Sequence, residues 1–283
     1  MKLFVDNLTH VDVSYLDAKR GLVGESWNAG LLLKGQLNQE SMICDFGIVK
    51  RNAKKWLDDF VDHTLLVPTE MEGLTIKEDG DKLDVRFPHP KGGQFICIAP
   101  KQAFCLVEAK TIEPKTLTPW IADHLNGSIP GDIEQLSVAL NTELIGGDFY
   151  HYSHGLKKHD GNCQRIAHGH RSKIEVLIDG ARNPELEKAW SKRWHDIYLG
   201  TKDDHVDSPT IDGVEHNHYS YTSAQGEFHL TLPTEACYDI PCDTTVEQIA
   251  NYIATEYKKG HPDNTVTVRA YEGIAKGAIA EYE

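Results

Sequence analysis

"GEFHLTLPTEACYDIPCDTTVEQIANYI", residues 226–253, decides how the chain is read. An apolar strand, a short break, a second strand and then a helical run follow one another. The helical run places Val246, Ile249, Ala250, Ile253 and Tyr257 at helical spacing. Thr244 and Glu247 read as a capping box at its start. The same order occurs earlier as "FICIAPKQAFCLVEAKTIEPKTLTPWIADHL", residues 95–125. Working outward, "LFVDNLTHVDVSY" near the start answers "DFYHYSHGLKKHDG" at 148–161, and "GLLLKG" answers "KIEVLIDG". Phe4 answers Phe149, 145 residues on, whereas Ala122 answers Ala250 only 128 residues on. A changing offset describes a diverged duplication with insertions, not a solenoid repeat.

Each half then reads as two strands, a helix, further strands, a second helix and a last strand. The glycines of "LIGGD", Leu144 to Asp148, interrupt the pattern and divide the chain into residues 1–145 and 146–283. In the first half Val49, Ala53, Trp56, Leu57 and Phe60 form a helical stripe, with Asp45 placed to cap it. In the second, Pro184 opens a helix carrying Leu186, Ala189, Trp190, Trp194 and Ile197. Alternation in "NTVTVRAYEG" and "KIEVLI" gives strands with one buried face. The class is α+β with antiparallel pairing.

The 283 residues carry a formal net charge of -14, which argues against a nucleic-acid surface, where Lys and Arg must cluster. A small phosphorylated ligand remains compatible, because a pocket can be locally basic. No apolar run spans a bilayer and no signal-peptide pattern opens the chain. Six cysteines without CxxC pairs suit neither a disulfide framework nor a cysteine zinc ribbon. The expectation is a reduced, cytoplasmic protein with no membrane partner.

One cluster carries chemistry: "GNCQRIAHGHRSK", residues 161–173. His168 and His170, two apart on a strand, point to one face and can present both imidazoles to one ion. A third histidine leaves a tetrahedral zinc with an open position; His154 is the first candidate and His159 the reserve. Against this stands coincidence in a chain with 15 histidines. Cys163 reads in three ways: a fourth ligand, a base with a lowered thiol pKa, or a small buried hydrophobe.

Together, "YSH…NC…AHGH", "SMICDFGIVK…VDHTLL", "DTTVEQIA" and "VRAYEG" resemble the 6-pyruvoyltetrahydropterin and 6-carboxytetrahydropterin synthase family. The resemblance covers most of the chain, with the motifs dealt out between the halves. It implies two tandem tunnelling-fold units, each an antiparallel sheet with two helices on one face. It implies zinc on His154, His168 and His170, a catalytic cysteine at Cys163 and a pterin-anchoring glutamate at Glu272. Thr244 and Thr245 stand between helix capping and substrate contact. From the first half comes an Asp-His relay, Asp62 and His63, since "FVDHTLL" follows the amphipathic helix as the pattern requires. Asp204 and His205 form a second such pair, which would make the relay local. Where the second half has its histidines, the first reads "GLVGESWN", without His or Cys, so one zinc site per chain is expected. Lys157, Lys158 and Arg165 lie near the motif as candidate phosphate groups.

The implied reaction is zinc-dependent conversion of 7,8-dihydroneopterin triphosphate to 6-carboxy-5,6,7,8-tetrahydropterin, with release of acetaldehyde and triphosphate, towards queuosine and related deazapurines. Elimination to a pyruvoyl pterin, or pterin or purine binding without turnover, are the alternatives. Open sheet edges make a homo-oligomer the expected state.

Overall fold

A computed structural model describes residues 1–129 and 133–283. The first half contains β1 (Lys2–Asp17), β2 (Gly21–Gly35), α1 (Phe46–Phe60), β3 (Leu65–Pro68), β4 (Thr75–Asp79), β5 (Lys82–Pro88), β6 (Gln94–Pro100), β7 (Phe104–Val107), α2 (Pro114–Leu125) and β8 (Ile133–Asn141). The second half opens with β9 (Tyr150–His154), β10 (His168–Ser172), β11 (Ile174–Ile178), β12 (Ala181–Arg182), α3 (Pro184–Arg193) and β13 (Ile197–Thr201). It continues through β14 (His205–Asp207), β15 (Thr210–Ile211), β16 (Val214–Ser223), β17 (Gly226–Pro233), β18 (Cys237–Ile240), α4 (Val246–Gly260), β19 (Val266–Tyr271) and β20 (Gly277–Tyr282).

The first sheet runs β7-β3-β1-β2-β8. The second half repeats it: β18-β13-β9-β10, then β11-β19-β20, with β10 and β11 together in the place of β2. The two tandem α+β units therefore share one strand order, with β12 and β20 added in the second. The antiparallel expectation holds for β1, β2 and β8 but not throughout. β3 runs parallel to β1 and β7 parallel to β3, as β13 does to β9 and β18 to β13. Excursions of antiparallel strands allow this: β4-β5-β6 return the chain from β3 to β7, and β14 to β17 return it from β13 to β18, so each partner re-enters in the same direction.

Each unit buries its helices on one face of its sheet. Val49, Ala53 and Leu57 of α1 join Leu117, Ile121 and Leu125 of α2 against Val11, Val13, Trp27 and Leu31. Trp190 and Trp194 join Ile249, Ala250 and Ile253 of α4 against Tyr150, Tyr152 and Val268. Asp45 caps α1 through the Ile48 N–H. α4 is capped one residue later than the sequence pattern suggested: Thr245 is the N-cap and accepts from Gln248 N–H, while Thr244 turns inward.

A continuous sheet, β14-β16-β17-β6-β5-β4, joins the halves through the β17–β6 pair. Beneath it lies a third core drawn from both units, including Leu16, Phe95, Tyr198, Tyr219 and Phe228. The repeated sheets also meet face to face, where Ser14 Oγ donates to Ser153 Oγ at 2.7 Å. A Cβ on Gly24 would stand 1.9 Å from the Tyr152 carbonyl oxygen, so this approach of backbone to backbone admits only glycine.

Ser14 pairs with Leu65 on β3, and Ser153 pairs with Tyr198 on β13, so the two serines are counterparts. This register corrects the match of Phe4 to Phe149. β1 carries an added outer stretch with an irregularity between Val5 and Thr9, which sequence similarity absorbed as shared strand. All six cysteines are free. No helix among the described residues is long and apolar enough to cross a membrane.

Candidate functional site

β9 and β10 pair antiparallel with His154 directly opposite His168 and Tyr152 opposite His170. Period-two alternation therefore brings the three imidazoles onto one face. None is more than 1 % exposed, and one ring nitrogen from each lies within 4.8 Å of the other two. His154 Nδ1 stands 3.0 Å from the Thr244 carbonyl oxygen and 3.1 Å from its Oγ1. His168 Nδ1 stands 3.0 Å from the Arg165 carbonyl oxygen. Those carbonyls accept from Nδ1–H, which leaves each Nε2 a bare lone pair.

Neither Nε2, nor either ring nitrogen of His170, has a hydrogen-bond partner. Burial, reinforced by neighbouring imidazoles, holds His154 and His168 well below the usual histidine range. Unpartnered imidazole nitrogens are what a transition-metal ion takes, and four of them orphaned in a protein interior are costly without one. The residues present fit a zinc ion.

Asp62 and His63 arrive from the first half of the same chain, in the turn between α1 and β3. His63 takes a positive φ of 54° there, and its ring lies 5.1 Å from that of His168. Its Nδ1 is 2.6 Å from Asp62 Oδ2. Backbone bonds hold the turn to β1: Asp12 N–H donates to Asp62 Oδ1 and His63 N–H donates to the Asp12 carbonyl, both at 2.7 Å. Burial opposes charge on His63, but the hydrogen bonds and charges of Asp62 and Cys163 outweigh it and raise its pKa to about 10. Cys163, half-buried in a 3₁₀ turn (Asn162–Gln164), has its sulfur within 4.8 Å of ligand atoms on both His63 and His168. The turn is fastened to the first half by Asn162 Nδ2, which donates to the Asp58 carbonyl at 3.1 Å.

Glu272 follows β19, with Oε1 3.9 Å from His170 Nε2 and Oε2 3.9 Å from Lys276 Nζ. Thr244 is fully buried behind His154, whose Nδ1 its carbonyl accepts from, while Thr245 caps α4. His159 is exposed and accepts from Gly161 N–H, away from the cluster. The pair Asp204 and His205 is not assembled. Asp204 binds Lys157, and His205 Nδ1 faces Asp239 Oδ2 at 2.7 Å.

The real counterpart of the Asp62-His63 turn is His195-Asp196. Asp196 has the same φ of 54° two residues before Tyr198, as His63 does two before Leu65. There Arg20 holds Asp196 through Nε at 2.8 Å, so the equivalent turn carries an ion pair between the halves. Lys158 is engaged by Asp243. Arg165, 4 % exposed, has no carboxylate partner among the described residues, and burial lowers its pKa to about 10.

Sequence reading missed Asp12. Its side chain is 3 % exposed, 3.3 Å from His170 Nδ1 and 2.9 Å from Lys276 Nζ. Burial alone would raise its pKa, but His170, Lys276 and Ser26 together hold it well below the usual carboxylate range. Its sequence signal was faint: an acid among valines in "HVDVSY". A concavity of about 540 Å³, bordered by Phe4, Asn28, Leu32 and Asn141, lies on the outer β1-β2-β8 surface. Its lining carries one carboxylate, Asp6, and one hydroxyl, Ser137, but no histidine or cysteine.

Among known proteins, the sequence profile described as 6-pyruvoyl tetrahydropterin synthase matches residues 147–283. Solved structures that match include a catalytic-residue mutant of Plasmodium vivax 6-pyruvoyltetrahydropterin synthase, 20 % identical. It covers 50 % of this chain and 90 % of its own, with a TM-score of 0.42. A Plasmodium falciparum 6-pyruvoyl tetrahydropterin synthase is 15 % identical over the same shares, with a TM-score of 0.41. No curated protein sequence matches the chain. Residues 147–283 of the chain thus carry the sequence pattern of the 6-pyruvoyl tetrahydropterin synthase family.

Proposed function

We propose that the protein is a zinc-dependent lyase acting on 7,8-dihydroneopterin triphosphate, at a site composed from both halves of one chain. Residues 146–283 would supply the metal ligands, the thiol and the pterin anchor, and residues 1–145 the Asp-His pair. The observation that carries this reading is the set of orphaned nitrogens on His154, His168 and His170, with Cys163 and His63 beside His168.

His154, His168 and His170 would hold zinc, which when bound supplies Lewis acidity to the substrate's side-chain hydroxyls. Cys163 would move protons at the side-chain carbons as general base. His63, charged and oriented by Asp62, exchanges a proton with Cys163. Glu272 offers two carboxylate oxygens to the pterin amino group and ring N–H, a paired charge-assisted contact. With Lys157 and Lys158 tied to carboxylates, Arg165 is the basic group left to meet phosphate. Thr244 acts on the substrate only through His154. Assembly with further copies follows from the open edges at β8 and β20.

The product we propose is 6-carboxy-5,6,7,8-tetrahydropterin with acetaldehyde and triphosphate. The profile match favours a second reading, elimination of triphosphate to a pyruvoyl pterin. Incubating the zinc-loaded protein with 7,8-dihydroneopterin triphosphate separates them, by mass analysis of the pterin and an acetaldehyde assay. Acetaldehyde with the carboxylated pterin is expected. A pyruvoyl pterin without acetaldehyde would transfer the assignment to the second reading, and unchanged substrate would contradict both.

A further inference from the structure

We propose that Asp12, contributed by the first half, is the carboxylate that orients the metal ligand His170. The inference rests on the metal reading of the site and adds a residue to it from the opposite unit.

Two of the three ligands are anchored within their own half: His154 on the Thr244 carbonyl and His168 on the Arg165 carbonyl. His170 has no such carbonyl. Its Nδ1 faces Asp12 Oδ1 at 3.3 Å, too poorly aligned for a formed hydrogen bond. A metal-bound histidine donates its other ring N–H to a carboxylate, a carbonyl or water, which fixes the tautomer and makes the ligating nitrogen a better donor. Asp12 is the acceptor in place, and a small rotation of the ring completes the bond.

The carboxylate itself is held firmly. Oδ1 accepts from Ser26 Oγ–H at 2.5 Å, and Oδ2 accepts from Lys276 Nζ at 2.9 Å. Gly273 passes so close that a Cβ there would stand 2.5 Å from Asp12 Oδ1 and 2.7 Å from Ser26 Oγ. Its φ of 67° is a second reason for glycine at that position. The backbone of Asp12 holds both Asp62 and His63. One residue of β1 thus sets the orientation of His170 and the position of the relay turn, so the metal and the proton-moving groups keep a common frame. Asp12 is a positioning residue: it touches a ligand and not the substrate.

Zinc affinity of the metal-free protein, titrated against a competing chelator, tests this without reference to turnover. Asp12→Asn should bind zinc about 10- to 100-fold more weakly than wild type. Because that change strands the Lys276 ammonium, the decisive pair is Lys276→Met against Lys276→Met with Asp12→Asn, both of which lack the ammonium and share the same loss at Glu272. An orienting role gives the double variant the same further loss with an unchanged melting temperature, whereas a role confined to the Lys276 ion pair gives the two variants equal affinity and overturns the proposal. His154→Ala is the control for the site: if it binds zinc as wild type does, the metal reading fails, and the role of Asp12 with it.

Discussion

Replacing Cys163 with alanine should lower turnover about a hundredfold to ten-thousandfold while leaving zinc stoichiometry and melting temperature unchanged. The thiol is only half-buried and sits in a 3₁₀ turn, so its removal opens no cavity in any of the three apolar cores. Its sulfur groups with His63 and His168, whereas the metal cluster is complete in His154, His168 and His170. Loss of the proton-moving group should therefore appear in kcat with the metal still bound. Measuring kcat and zinc on one preparation decides between the roles left open by the sequence. Zinc lost along with turnover would make Cys163 a fourth ligand, and retained turnover would make it a packing residue.

His168→Ala should abolish both metal binding and turnover. His168 is the one residue common to the metal cluster and to the group that contains the thiol and the relay histidine. Two imidazoles without it offer an incomplete tetrahedron. The measurement needs no substrate. A metal that binds only the folded protein raises the melting temperature, by about 2.7 kcal/mol of stabilisation at a hundredfold excess over Kd. Wild type should melt higher with added zinc and lower with chelator, and His168→Ala should respond to neither. A zinc-dependent rise in the variant would show that the ion sits elsewhere.

Much of this was legible in the sequence because it rested on local spacing. HxH at 168–170 becomes a same-face pair on any strand, Asp45 caps the helix that follows it, and the amphipathic stripes land in the cores. What could not be read depended on where one unit sits on the other. Asp12 is an acid within a 16-residue strand, indistinguishable by pattern from a residue facing water. Its partner His170 is 158 positions away in the chain, and only the packing of β1 and β2 on β9 and β10 joins them. The same cause hides the counterpart of the Asp62-His63 turn from the sequence pattern. Asp204-His205 has the wanted residue order, but His195-Asp196 occupies the equivalent turn, with the residue types reversed. Lys157 and Lys158 stand as candidate phosphate groups in the sequence, but their carboxylate partners lie 47 and 85 positions on, beyond the reach of local pattern.

The central claim is that one chain supplies both the metal and thiol site and the relay. Co-expression of two inactive chains, Cys163→Ala and His63→Ala, tests it most directly, with assembly into mixed oligomers verified by distinct affinity tags. If each site is built within one chain, every site in the mixture lacks either the thiol or the relay histidine, and the mixed oligomers should be as inactive as the single variants. Recovery of activity in the mixed oligomers would mean that His63 reaches Cys163 from a neighbouring chain, and would contradict the account.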